Sequence, residues 1–86
     1  GFSLLQNYPN PFNPSTKIKW QSPTSIWQSL KIYDVLGNEV ATLVNEFRSA
    51  GNYEINFNAS NIPSGVYFYR LQSGSFTETK KMLMIK

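Results

Sequence analysis

Asn7-Tyr8-Pro9-Asn10-Pro11-Phe12-Asn13-Pro14, running directly into Ser15-Thr16-Lys17-Ile18, is the stretch around which the rest of the chain is read. Its three prolines within six residues hold φ near about −65° and withdraw three backbone donors, so neither a helix nor a central strand passes through. Each residue before a proline is pushed to extended geometry. The asparagines supply side chains that bond nearby backbone and close turns. The result is a stiff elbow, with two rings, Tyr8 and Phe12, available to pin it to a core.

Outward from the elbow the pattern is that of strands. Phe2-Ser3-Leu4-Leu5 is apolar enough for a short strand leading in. Thr16-Lys17-Ile18-Lys19-Trp20 alternates, with Thr16, Ile18 and Trp20 on one face and the lysines on the other. Gln21 to Ser25 is a loop. Ile26 to Leu36 follows, with Leu30 and Ile32 on one face and Lys31 and Tyr33 on the other. Leu36-Gly37-Asn38 is a hairpin turn in which Gly37 supplies positive φ, and Asp34 beside it reads as a carboxylate satisfying turn amides.

Glu39 to Val44 returns with apolar residues on both parities, from a bulge or from burial on both faces. Asn45 to Ala50 reads as a connection with room for one helical turn. From Gly51 the alternation is clear: Tyr53, Ile55 and Phe57 inward, Glu54 and Asn56 outward. Ala59 to Gly65 is a turn-rich crossover, with Ile62 as a core plug. Val66 to Leu71 places Tyr67, Tyr69 and Leu71 inward and Arg70 in water. Ser73-Gly74-Ser75 is a further hairpin, and Phe76 to Ile85 closes the chain. Short strands separated by glycine turns at Gly37, Gly51, Gly65 and Gly74, with no helical period, predict an all-β antiparallel sandwich of about seven strands.

Composition narrows the function classes. Eighty-six residues, 41% hydrophobic and 15% aromatic, make one small domain spanning 1–86 that can bury a core. No segment reads as a bilayer span or as a signal peptide, and Gly1 reads as a domain boundary rather than a native start. The net charge of +3 comes from eight Lys/Arg against five Asp/Glu; only Lys80, Lys81 and Lys86 lie close together, which is thin for a nucleic-acid binder. There is no cysteine and no histidine, so Ser-His-Asp triads and Cys- or His-based zinc sites are excluded. The carboxylates are dispersed and no phosphate loop occurs. No cofactor is expected, and the chain reads as a non-enzyme that acts by being bound.

The octet Asn7–Pro14 with Ser15-Thr16 resembles the opening signature of the C-terminal sorting domains of the type IX secretion system (type A). Later pieces recur in the same order: Leu30-Lys31-Ile32-Tyr33-Asp34, Gly37-Asn38-Glu39-Val40, Gly51-Asn52-Tyr53, Ser64-Gly65-Val66-Tyr67 and Lys80-Lys81-Met82-Leu83. The resemblance spans about Leu4 to Lys86, and Ig-like modules such as that of flagellar hook-capping proteins share the later pieces. The family usually has an apolar residue at the Gln28 position; here Trp27 sits one place earlier, which leaves the register of that strand open.

The resemblance implies an Ig-like, Greek-key-like fold and a label that an outer-membrane translocon recognises after the carrier has reached the periplasm. In that family a cysteine-protease sortase commonly cuts ahead of the domain and joins the cargo to anionic lipopolysaccharide; this chain would be the substrate. Carried over residue by residue, recognition falls on Lys80, Lys81, Met82, Leu83, Met84, Ile85 and Lys86. Gly65 and Tyr67 would shape the presented fold.

From the residues themselves two surfaces stand out. The closing strand offers four consecutive apolar residues between lysines, with an edge a receptor could extend or a second copy could exchange into a dimer; the competing reading puts Leu83 and Ile85 in the core and Met82 and Met84 under a loop. Alternatively, Trp20 and Trp27 form a platform for sugars, making the domain a glycan-binding or spacer module of an extracellular enzyme, although the inward parity of Trp20 points to packing.

Overall fold

The computed structural model describes all residues, Gly1 to Lys86. Seven strands form two antiparallel sheets and there is no helix: β1 (Ser3–Leu4), β2 (Ser15–Ser22), β3 (Ile26–Tyr33), β4 (Glu39–Arg48), β5 (Gly51–Asn58), β6 (Gly65–Ser73) and β7 (Phe76–Met84). The small sheet has the order β1-β2-β5 and the large one β4-β3-β6-β7. The chain changes sheet between β2 and β3, again between β4 and β5, and again between β5 and β6, the interleaved connectivity of an Ig-like Greek key.

Each strand's alternation sends one set of side chains between the sheets. Ile18 and Trp20 from β2 meet Leu30 and Ile32 from β3 and Tyr69 and Leu71 from β6 in one buried cluster. Full burial of an aliphatic side chain of this kind stabilises by about 1.5–3 kcal/mol. Tyr53 and Ile55 are half-buried and Phe57 buried, as their parity predicts, and half-buried Ile62 packs on the rim of the core.

The β3–β4 pair explains the mixed parity of β4. Leu30 faces Val44 but Lys31 faces Thr42, and Ile32 faces Ala41 but Tyr33 faces Glu39. Leu43 and Val40 are therefore skipped by two bulges, and this lets both Val44 and Ala41 turn towards the core. The strand also runs on to Arg48, so Asn45 to Ala50 is not a helical turn. Its polar residues sit on an edge strand, where one side of the backbone faces solvent.

In β3, Gln28 points inward and is wholly buried, while Trp27 points outward. Gln28 Oε1 accepts a hydrogen bond from Trp20 Nε1 at 2.9 Å, which gives the buried indole N–H an acceptor that an aliphatic residue at position 28 could not provide. Gly37 turns the β3–β4 hairpin at φ +86°, and Asp34 Oδ1 accepts from the backbone N–H groups of Leu36 and Asn38, each at 2.9 Å. The Asn38 N–H, the largest influence, and the other turn donors hold the Asp34 carboxyl below its usual range.

Candidate functional site

The closing strand is set by its hairpin. Ser73 pairs with Phe76 across Gly74-Ser75, and the register continues to Tyr67 opposite Met82 and Gly65 opposite Met84. Because Tyr67 faces the core, so does Met82 opposite it, and so does Met84 two residues further on: both are fully buried. Leu83 and Ile85 are exposed on the outer face. The expectation of Leu83 and Ile85 in the core is thus reversed. Four apolar residues in a row conceal their parity, but the two-residue turn at Gly74-Ser75, counted from the inward tyrosines, reveals it. Lys80 falls on the inward parity at the rim, 3.3 Å from Glu78, whereas Lys81 points out.

The elbow does more than lead into β2. Phe12 N–H donates to Leu83 O at 3.0 Å and Phe12 O accepts from Ile85 N–H at 2.9 Å. Asn10 Oδ1 accepts from Leu83 N–H at 3.0 Å, and Gln6 Nε2 donates to Lys81 O at 2.8 Å. Beyond it, Lys86 N–H donates to Ser64 Oγ and Lys86 Nζ to Ser60 O. The free edge expected along the tail is therefore occupied by the chain's own elbow around Leu83 and Ile85, and a visitor there meets side chains instead of open backbone.

The elbow is held from beneath. Phe12 is 2% exposed and packs against Phe57 with ring centroids 6.4 Å apart. Tyr8, expected as a second pin, is 80% exposed; its backbone instead pairs with Lys17 in both directions. Buried Asn7 donates through Nδ2 to Thr16 Oγ1 and Pro9 O, and Thr16 Oγ1 donates to Pro9 O. The peptide bonds before Pro9, Pro11 and Pro14 are cis.

Tyr69 Oη accepts from Asn7 N–H at 2.8 Å and donates to Leu5 O at 2.7 Å. Burial pushes its hydroxyl up to about 12, against a smaller lowering by the Asn7 N–H. Tyr67 Oη donates to Pro63 O at 2.6 Å, tying the start of β6 to the crossover four residues upstream, a corner familiar in Ig-like sandwiches. Sequence reasoning had Tyr67 inward without this bond.

Around the tail, the outer face of the large sheet is apolar with a basic rim. Val66 lies opposite Leu83, and Phe68 opposite Lys81 on one side and Tyr33 on the other. Arg70 lies 4.7 Å above the Tyr33 ring; the expectation that it is simply solvated gives way to a cation–π contact. Val35 and Leu36 stand exposed on the adjoining hairpin, beside a shallow depression of about 290 Å³ lined by Tyr33, Val35, Phe68 and Arg70 among others. Lys81, Arg70 and Lys86 enter no ion pair.

The Trp20–Trp27 platform does not exist. Trp20 is 2% exposed, stacked on Tyr53 at 5.5 Å with Arg48 5.8 Å over its ring, while Trp27 lies on the opposite, outer face of the other sheet. Their parities in two different sheets keep them apart. No group of three or more His, Cys, Asp or Glu side chains is placed to hold a metal ion.

The fold and this face define a class: a small Ig-like sandwich whose last strand is strapped by a proline elbow and displays side chains instead of reactive groups. The sequence matches the profile of the secretion system C-terminal sorting domain over residues 6–86, and the chain belongs to that family. No curated protein matches it. Among solved structures it is similar to PorZ, described as an essential bacterial surface component of the type-IX secretion system of Porphyromonas gingivalis, with a TM-score of 0.69 at 20% identity. That alignment covers 98% of this chain and 12% of PorZ, and it supports the fold. As a sorting domain the chain is a type IX secretion signal. It directs the protein that carries it across the outer membrane, to the cell surface or beyond, and so works with the secretion machinery and its cargo.

Proposed function

We propose that the machinery recognises the folded domain through the outward side chains of the tail, Lys81, Leu83 and Ile85, with Lys86 beyond the strand and tethered to the Ser60 carbonyl, together with the adjoining Val66, Phe68 and Tyr33. Lys80, Met82 and Met84, carried over from the family as recognition residues, act by holding that strand in register. The observation that carries this reading is the alternation at the end of β7: two methionines anchor the strand while their neighbours stand free. An apolar centre with a cationic rim suits a receptor groove with acidic margins.

The elbow Asn7–Pro14 keeps the display rigid, Gly37, Gly51 and Gly65 close the turns between its strands, and Tyr67 fixes the crossover. A receptor serving many cargoes benefits from such a cargo-independent shape. The whole of 1–86 acts as one label and performs no chemistry of its own, a reading supported by the absence of histidine and cysteine. Cleavage by a sortase ahead of the elbow would leave this unit intact. Strand exchange between copies would require the elbow to leave Leu83 and Ile85, which disfavours a dimer built on this edge.

Site-specific photo-crosslinking tests the reading. With the full chain fused to a reporter in a type IX-competent cell, a photoreactive residue at Leu83 or Ile85 is expected to capture an outer-membrane component of the translocon identified by mass spectrometry. The same residue at Lys19, on the outer face of the small sheet, should not. Equal capture from both faces would overturn the assignment.

A further inference from the structure

A second exposed surface lies at the other end of the sandwich. Trp27 and Phe47 are cross-strand partners on the outer face, 56% and 62% exposed. Trp27 Nε1 donates to Asn45 Oδ1 at 2.8 Å. Asn45 sits opposite Ser29, two residues along from the Trp27–Phe47 pair on the same face, so this bond ties the indole edge to the neighbouring strand. Ser29 in turn faces Gln72, and Gln72 faces Thr77.

A row of amides and hydroxyls, Asn45-Ser29-Gln72-Thr77, thus runs across all four strands beside two flat rings. The Asn45 Nδ2, Ser29 Oγ and Gln72 amide make no hydrogen bond within the protein. A depression of about 350 Å³ lies over Trp27, Ser29, Asn45 and Gln72. The one charged side chain lining it, Lys31, is engaged with Glu39 at 3.3 Å.

We propose that this face binds a neutral polysaccharide chain. One pyranose ring would stack its C–H face on Trp27 and Phe47, whose negative ring faces attract such hydrogens. The hydroxyls of the next unit would exchange hydrogen bonds with Asn45, Ser29 and Gln72. Residues two apart on a strand are about 7 Å apart, a distance comparable with one sugar unit. The same rings without an unpaired cation do not suit a nucleic acid, whose binding is dominated by phosphate charge. The surface is independent of the sorting role, because the terminal residues recognised there lie at the opposite end of β6 and β7.

The test is affinity electrophoresis of the full chain in native gels cast with mixed-linkage β-glucan, arabinoxylan or galactomannan. Retarded migration in at least one is expected, with affinity falling about tenfold in Trp27→Ala and in Phe47→Ala, the scale of one aromatic contact. Trp27→Tyr should restore most of it, and Asn45→Ala and Gln72→Ala should weaken it less. These side chains are exposed, and an unchanged circular dichroism spectrum verifies the fold of each variant. Absence of retardation in all three gels, or retardation insensitive to Trp27→Ala, overturns the proposal. So does binding only to polygalacturonate or single-stranded DNA that disappears with added salt, which would assign the contact to charge.

Discussion

Tyr69 concentrates two structural links on a single oxygen, joining β6 to the chain on both sides of Gln6. Its loss in Tyr69→Phe leaves the buried Asn7 N–H and the part-buried Leu5 carbonyl without their partner, at a cost of about 1–3 kcal/mol. Because the folded hydroxyl titrates at about 12 and an unfolded tyrosine at about 10, this contribution is complete below pH 10 and is lost as pH rises through 12. Chemical denaturation of wild type and Tyr69→Phe across that range should therefore show the stability gap closing; a gap that stays constant would contradict the assignment. Trp20 and Gln28 form a second buried pair, in which Gln28 Nε2 has no partner. Removing one member orphans the other, so a double-mutant cycle with Trp20→Phe and Gln28→Leu should yield a coupling of about 0.5–3 kcal/mol, and additive effects would refute the pairing. Sequence alone showed Trp20 inward; it left Gln28 open, because a buried glutamine is credible only once its partner on another strand is known.

At the scale of elements, the elbow is fixed by one ring of its two. Phe12→Ala should cost about 3–5 kcal/mol, a large part of the roughly 5–15 kcal/mol available to a small domain, and should expose the Leu83 and Ile85 edge to hydrogen exchange. Tyr8→Ala should change stability by no more than about 0.5 kcal/mol. Equal effects in thermal melts would mean that the elbow docks differently. The stiffness of Asn7–Pro14 was readable from its prolines, and the clean alternation of β2, β5 and β6 from period-two patterning. The course of the elbow was not, since a strap across β7 depends on a contact more than seventy residues away in sequence. Nor was the continuation of β4 through Asn45-Glu46, and a bulge stood only as one of two readings of Glu39 to Val44, because edge strands and bulges relax the pattern that sequence reading relies on.

Over the whole molecule, the sandwich, 37 Å along its longest axis, has two distinct ends. Phe2 stacks on Phe76 at 4.8 Å, placing the entering chain beside the Gly74 hairpin and the Trp27–Phe47 face. The elbow, the Asp34 hairpin and the tail gather at the other end. A recognition patch of standard size, about 800 Å² per partner, would take about a sixth of the 4924 Å² surface, so both ends can work at once. The order of motifs made the family legible from sequence, but the division of the tail into anchors and displayed residues required the register. It also changes what a truncation reports: deleting Lys80 to Lys86 removes two buried methionines, each worth about 2–5 kcal/mol, and should unfold the domain. The most direct measurement is surface export of a reporter fused to the full chain carrying Leu83→Glu and Ile85→Glu, with the purified domain shown to be folded. Retention of the folded variant in the periplasm is the expected result, and export at the wild-type level would contradict recognition through the displayed face of the tail.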